Sequence, residues 1–140
     1  MRALRVRDLM SEKPITVHPD TQMLEARQRM LEARIRHLIV TEDERVMGIV
    51  TDRDIRLNLP SPATSLSVWE MNFLLAKLTV RDVMTRAVML VDPKRFASEA
   101  AQIMLTHKIS ALPVTEGERL VGIITESDFV RVVAGVDGTG

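Results

Sequence analysis

Gly48-Ile49-Val50-Thr51-Asp52-Arg53-Asp54 is written a second time as Gly122-Ile123-Ile124-Thr125-Glu126-Ser127-Asp128. Each copy is a Gly, two β-branched apolar residues, a Thr, two polar residues and an Asp. The apolar pair reads as a buried strand. The Thr ends that strand and can cap a helix with its hydroxyl. The Asp then sits in the first helical turn. A helix N-terminus presents unpaired N–H groups that suit a phosphate. A carboxylate beside it can accept hydrogen bonds from two adjacent sugar hydroxyls. Two readings stand side by side: a plain helix cap, since Thr followed by an acid in the first turn is common, or a site for a ribose and a phosphate. One copy alone favours the cap. The second copy shifts the balance towards the site.

The offset that carries Gly48 onto Gly122 aligns the two halves of the chain without a gap. It carries Val6-Arg7-Asp8-Leu9-Met10 onto Val80-Arg81-Asp82-Val83-Met84, and Pro19, Glu25 and Ala26 onto Pro93, Glu99 and Ala100. Ile35, Leu38, Val40, Thr41 and Glu42 recur as Ile109, Leu112, Val114, Thr115 and Glu116. Agreement at one offset along a whole unit marks a duplication.

Each repeat reads as β-α-β-β-α, so the fold class is mixed α/β (α+β). A short turn or helix at Val6–Met10 precedes a strand at Ile15–Val17, or Val88–Val91 in the second repeat. His18-Pro19 or Asp92-Pro93 closes that strand, because proline cannot continue a ladder. Asp20 or Thr21 is expected to cap a helix to about Ala33, with Met23, Ala26 and Met30 at helical spacing. Its counterpart runs from about Pro93 to Thr106. Leu38–Val40 and Val46–Val50 read as strands joined by a turn at Glu42–Glu44, as do Leu112–Val114 and Leu120–Ile124 with Glu116–Glu118. Final helices are expected at Asp52–Leu59 and Glu126–Ala134. The domain boundaries that follow are 1–59 for the first repeat, 60–79 for a linker, 80–134 for the second repeat and 135–140 for a loose tail. Within the linker, Asn58–Ser65 breaks structure with two prolines. Ser67 and Glu70 form a capping box that opens a helix at about 67–78. Its stripe of Val68, Met71, Leu75 and Leu78 is expected to pack across the junction of the repeats. Trp69 is the only tryptophan. Burial within the chain and an aromatic anchor at a dimer surface are both open for it.

The chain has 140 residues, 46% of them hydrophobic, and balances 19 basic against 19 acidic residues. That balance argues against nucleic acid and membrane surfaces as partners, whose attraction rests on excess positive charge. There is no cysteine, hence no disulfide framework or thiolate chemistry. No apolar run is long enough to span a bilayer, and the first residues lack the core of a signal peptide. The cytoplasm is the expected location. The three histidines, His18, His37 and His107, share no metal-ligand spacing, so no metal is expected. No P-loop is present, and no nucleophile, base or metal set is identifiable. The expectation is a protein that is not an enzyme.

The pattern resembles the CBS domain, named after cystathionine β-synthase, in the tandem arrangement called a Bateman module. The pieces that carry the resemblance are Val80-Arg81-Asp82-Val83-Met84, Ile109 to Val114 and both Gly-to-Asp stretches. It extends from about Val6 to Ala134 and includes a likeness to acetoin-utilisation-type proteins. The resemblance implies two repeats packed as a pseudo-twofold pair, with adenine nucleotides held in clefts between them. It gives Asp54 and Asp128 the ribose and Thr51 and Thr125 the phosphate. It makes Arg36, His37 and Arg53 a cationic lining, with Ser110, Ala111 and Ser127 at the matching positions of the second repeat. Unequal sites are therefore expected. An apolar slot for adenine would come from Ile15, Thr16 and Val17 with Ile35, and from Val88, Met89 and Leu90 with Ile109. One departure is Ile39, which stands where the second repeat has Pro113. The implied function is a non-catalytic regulatory module. It needs no cofactor. It binds AMP, ADP, ATP or another adenosyl ligand such as S-adenosylmethionine, and passes ligand state on through repeat packing. A homodimer and a fused or separate effector protein are the implied partners. The alternative is a dimerisation scaffold without a ligand.

Overall fold

The computed structural model describes residues 3–60 and 65–135. Ser61–Thr64 of the expected break and 136–140 of the expected tail lie outside them. The elements in chain order are α1 Val6–Leu9, β1 Thr16–Val17, α2 Met23–Ala33, β2 His37–Glu42, β3 Arg45–Thr51, α3 Asp52–Leu57 and α4 Val68–Lys77. Then follow α5 Val80–Val83, α6 Ala97–His107, β4 Ala111–Glu116, β5 Arg119–Thr125 and α7 Glu126–Ala134. They form two compact units. One is contiguous, Ile15–Ala87; the other is split, joining the residues up to Pro14 with those from Val88 onward.

In the contiguous unit the sheet order is β1-β2-β3. β1 runs parallel to β2 with Thr16 opposite Ile39, and β2 pairs antiparallel with β3 from His37–Thr51 to Glu42–Arg45. Asp43 and Glu44 turn the hairpin with φ of 52° and 64°. Two left-handed residues in a two-residue turn match the twist of the strands they join. β4 and β5 of the split unit repeat the hairpin position by position, including the register shift after Val114 that matches the one after Val40.

The expected strand at Val88–Val91 is reduced to one bridge, Val91 to Val114. Val91 N–H donates to Pro113 O at 3.1 Å, and Thr115 N–H donates to Val91 O at 3.0 Å. A further rung, the counterpart of Thr16–Ile39, needs the N–H at position 113, which proline lacks.

Each unit closes over its own core. In the contiguous unit Met23, Met30, Leu38, Val40, Val50 and Ile55 pack with Val80, Val83 and Met84. In the split unit Val91, Ala100, Met104, Leu112, Val114 and Ile124 pack with Val6. The repeats written in the sequence are thus not the compact units. The segment before the first repeat's β1 seals the second repeat, and the segment around α5 seals the first. Backbone bonds hold these segments: Val80 N–H to Thr21 O at 2.8 Å and Met23 N–H to Leu78 O at 3.0 Å in one unit, Val6 N–H to Arg95 O at 2.9 Å and Ala97 N–H to Leu4 O at 2.8 Å in the other. The same bonds account for the helix starts. α2 begins after Gln22 rather than Asp20 or Thr21, and α6 after Phe96 rather than near Pro93. Carbonyls from the sealing segment, not side-chain caps, satisfy their first N–H groups.

Gly48 and Gly122 sit where the sealing segments touch the sheets. Ile49 exchanges backbone bonds with Thr85 at 3.0 and 2.9 Å, and Ser11 with Ile123 at 2.9 and 3.0 Å. A Cβ on Gly48 would lie 2.6 Å from Thr85 O, and one on Gly122 would lie 2.7 Å from Ser11 O. Only glycine allows the backbones this close.

α4 opens as expected, with Ser67 Oγ accepting from Glu70 N–H at 3.1 Å. Leu75 and Leu78 pack against the core of the contiguous unit. Trp69 is 84% exposed and Phe73 62%, so of the two readings open for Trp69, burial within the chain does not hold. Val68 is also exposed. Met71, Leu75 and Leu78 of the stripe are half-buried and Val68 is not, so the helix meets the core towards its C-terminal end and its first turn stays exposed.

Candidate ligand-binding sites

At the end of β3 the backbone N–H of Thr51 donates to Asp54 Oδ2 at 2.9 Å, and Asp54 N–H donates to Thr51 Oγ1 at 3.1 Å. The Thr hydroxyl therefore acts here as an acceptor and keeps its own proton to offer. Asp54 is half-buried. Among the described residues no group pairs with its Oδ1. Around this pair the sheet gathers several of the expected residues at one end. His37 lies opposite Thr51 across β2 and β3. Arg36 O accepts from Asp52 N–H at 3.0 Å. Arg36 and Arg53 are exposed, and Ile35 and His37 are half-buried. Ile15 stays 42% exposed just before β1, whereas Val17 is 3% exposed and belongs to the core. Thr16 is half-buried, and its carbonyl receives Arg29 Nη1 at 3.4 Å. Thr51, Asp54, His37, Arg36 and Ile15 thus share one rim, with apolar, acidic and cationic groups side by side.

The split unit carries the same frame with other occupancy. Ala111 lies opposite Thr125 and is buried at 6%. Glu126 N–H donates to Ser110 O at 3.0 Å. Met89 is 38% exposed, Ile109 is half-buried and packs on the core, and Ser127 is exposed. Thr125 N–H donates to Asp128 Oδ2 at 2.7 Å, and the Thr125 hydroxyl also turns to that oxygen at 3.3 Å. Asp128 is only 5% exposed, and its Oδ1 accepts from Arg131 Nη2. Arg131, which pairs with this carboxylate, is not among the residues expected from the sequence. The signal was available in the Asp-x-x-Arg spacing, which sets the two side chains on one helix face. Among the described residues no three His, Cys, Asp or Glu side chains gather as a metal site requires. No described helix is long and apolar enough to cross a membrane.

Two strand-Thr-Asp-helix units, each sealed by a segment from the other repeat, define a duplicated α/β module. The CBS domain model matches residues 6–61 and 80–135, and the chain belongs to the CBS domain family. The CBS domain pair of protein MJ0100, solved in complex with 5′-methylthioadenosine and S-adenosyl-L-methionine, superposes with a TM-score of 0.79 at 27% identity. The match covers 97% of this chain and 100% of that one. A protein assigned to acetoin utilization (AcuB) from Vibrio cholerae gives a TM-score of 0.79 at 30% identity, over 96% of this chain and 93% of that one. L-aspartate semialdehyde sulfurtransferase from Methanocaldococcus jannaschii is 31% identical over 93% of this chain, which is 23% of the enzyme's length. The chain likewise spans less than two-fifths of several other curated relatives.

Proposed function

We propose that this chain is a non-catalytic regulatory module that binds an adenosyl ligand at the strand-Thr-Asp-helix stretches. The observation that carries this reading is Asp54: one carboxylate oxygen fixed by the Thr51 N–H, the other unclaimed at an open rim. A ribose diol needs such an oriented acceptor. The Thr51 hydroxyl proton and the guanidinium groups of Arg36 and Arg53 suit a phosphate or another charged group attached to that ribose. The half-buried Ile35 and exposed Ile15 offer apolar contact to a purine. The MJ0100 pair, with its two adenosyl compounds, supports the class of ligand. AMP, ADP, ATP and S-adenosylmethionine all fall within it. The ligand is regulatory, the module acts on a fused or separate effector, and the cytoplasm is its proposed location. Regulation requires that the ligand bind one state of the module better than another.

Calorimetric titration of the stripped chain with adenosine, AMP, ATP and S-adenosylmethionine tests this. Asp54→Asn keeps the shape of the side chain and removes one acceptor charge. It is expected to weaken adenosine and every adenosyl ligand about ten- to a hundredfold, the worth of a charge-assisted hydrogen bond. Undiminished adenosine binding in that variant rejects the ribose role of Asp54.

A second reading, a dimerisation scaffold, draws on the exposed Val68, Trp69 and Phe73 of α4. Aromatic side chains of this kind anchor protein interfaces. We propose homodimer contact through this face alongside ligand binding. A chain that dimerises yet ignores every adenosyl compound would favour the scaffold alone.

A further inference from the structure

We propose that Arg131 is a latch that sets the two adenosyl sites apart, holding the second one closed to ribose while the first stands open. The inference rests on the adenosyl reading above and concerns the regulation of those same sites. Asp54 and Asp128 occupy matching positions, and each gives Oδ2 to the N–H of its Thr, at 2.9 and 2.7 Å. They differ at the other oxygen. Oδ1 of Asp128 accepts from the guanidinium of Arg131, three residues on in α7. The residue at the same place in the first repeat is Leu57, which is 72% exposed and has no hydrogen-bonding group to offer.

The threonines differ in the same sense. Thr51 Oγ1 accepts from Asp54 N–H and leaves its proton free, whereas the Thr125 hydroxyl is turned onto Asp128. Both polar groups of the second copy are therefore spent on the protein itself. A buried carboxylate needs such partners, since an unpaired one is costly. At 5% exposed, Asp128 has less water around it to replace a missing partner than the half-buried Asp54 has. Arg131 is itself 52% exposed on its side chain, so it can swing into solvent when a diol takes its place. A ligand at the second site must displace it, and the exchange of one charge-assisted bond for another leaves little net gain. The second site is thereby the weaker one and fills only at higher ligand concentration.

The test is calorimetric titration of the full chain with adenosine, which has no phosphate, and with AMP, in wild type, Arg131→Leu and Leu57→Arg. The expected wild type takes up one adenosine tightly. Arg131→Leu is expected to tighten the second adenosine about tenfold, the scale of one competing hydrogen bond to a charge. Leu57→Arg installs the latch at an exposed position and is expected to weaken the first adenosine by a similar factor. Should Arg131→Leu lose its folded signal in circular dichroism, Leu57→Arg decides, and unaltered adenosine affinity in it overturns the latch. Arg131→Leu that folds and binds adenosine as wild type does also overturns it, leaving the proposed function intact. A loss confined to AMP makes Arg131 a phosphate ligand and overturns the latch too. Absence of adenosine and AMP binding in all three proteins overturns both the latch and the adenosyl reading.

Discussion

Gly48 and Gly122 stand where a methyl group has no room, because the carbonyls of Thr85 and Ser11 approach their Cα atoms so closely. Gly117 is a different case: its φ is 60° but nothing lies within 4 Å of an added Cβ. The two kinds of glycine predict two sizes of effect. Gly48→Ala and Gly122→Ala each push a sealing segment off its sheet and are expected to cost about 1–3 kcal/mol, as overpacking does. Gly117→Ala meets only the left-handed backbone and is expected to cost about 1 kcal/mol. Denaturant unfolding of the three variants gives the order directly, and equal costs would show that the close approaches carry no special strain. Asp54 belongs to this scale as well. Its bond to Thr51 N–H serves the start of α3, so Asp54→Ala is expected to lower stability by about 1 kcal/mol besides weakening the proposed ligand, whereas Asp54→Asn separates the two effects.

At the scale of elements, α4 presents the clearest expectation. Its only tryptophan is exposed, so emission of the monomer should resemble that of tryptophan in water. If the Val68, Trp69 and Phe73 face joins two copies, emission shifts to the blue as concentration rises, and Trp69→Ser with Phe73→Ser holds the chain monomeric in light scattering. Emission independent of concentration across the dimerising range would place the contact elsewhere. The elements also divide by how well the sequence announced them. The strand-Thr-helix stretches were legible because strand period, cap and first-turn acid are all local. So were the hairpins and the Ser67–Glu70 cap. The starts of α2 and α6 were not, since their caps are carbonyls of Leu78 and Leu4, far along the chain. The strand at Val88–Val91 was misjudged because Pro113 acts on its neighbour across the sheet, not on itself. The exposure of Trp69 was hidden because an amphipathic stripe fixes a face but not how far along the helix the core extends. At the candidate sites the pairing of Thr51 with Asp54 and of Thr125 with Asp128 followed from local spacing, while the pairing of Arg131 became visible only with the α7 side chains in place.

The molecule as a whole is two units whose sealing segments are exchanged along the sequence. Val6, fully buried, belongs to the core that holds Leu112 and Ile124, and Val80, also fully buried, belongs to the core that holds Leu38 and Val50. Val6→Ala is expected to cost about 2 kcal/mol and to speed amide exchange in β4 and β5, although in sequence it belongs to the first repeat. Val80→Ala is expected to do the same in β2 and β3. Exchange measured residue by residue checks both, and loosening of the sequence-adjacent strands instead would contradict the exchange of segments.

The exchange of segments also imposes a timetable on the ribosome. Ile15–Ala87 is one uninterrupted stretch, so its unit has every part it needs once Ala87 has emerged. The other unit has its α1 before Ile15 is made but lacks the strands that α1 seals until Ile124 follows. At roughly 5–20 residues per second of synthesis, α1 waits on the order of ten seconds with Val6 uncovered. α1, made before every strand, is therefore held back until the second hairpin is complete.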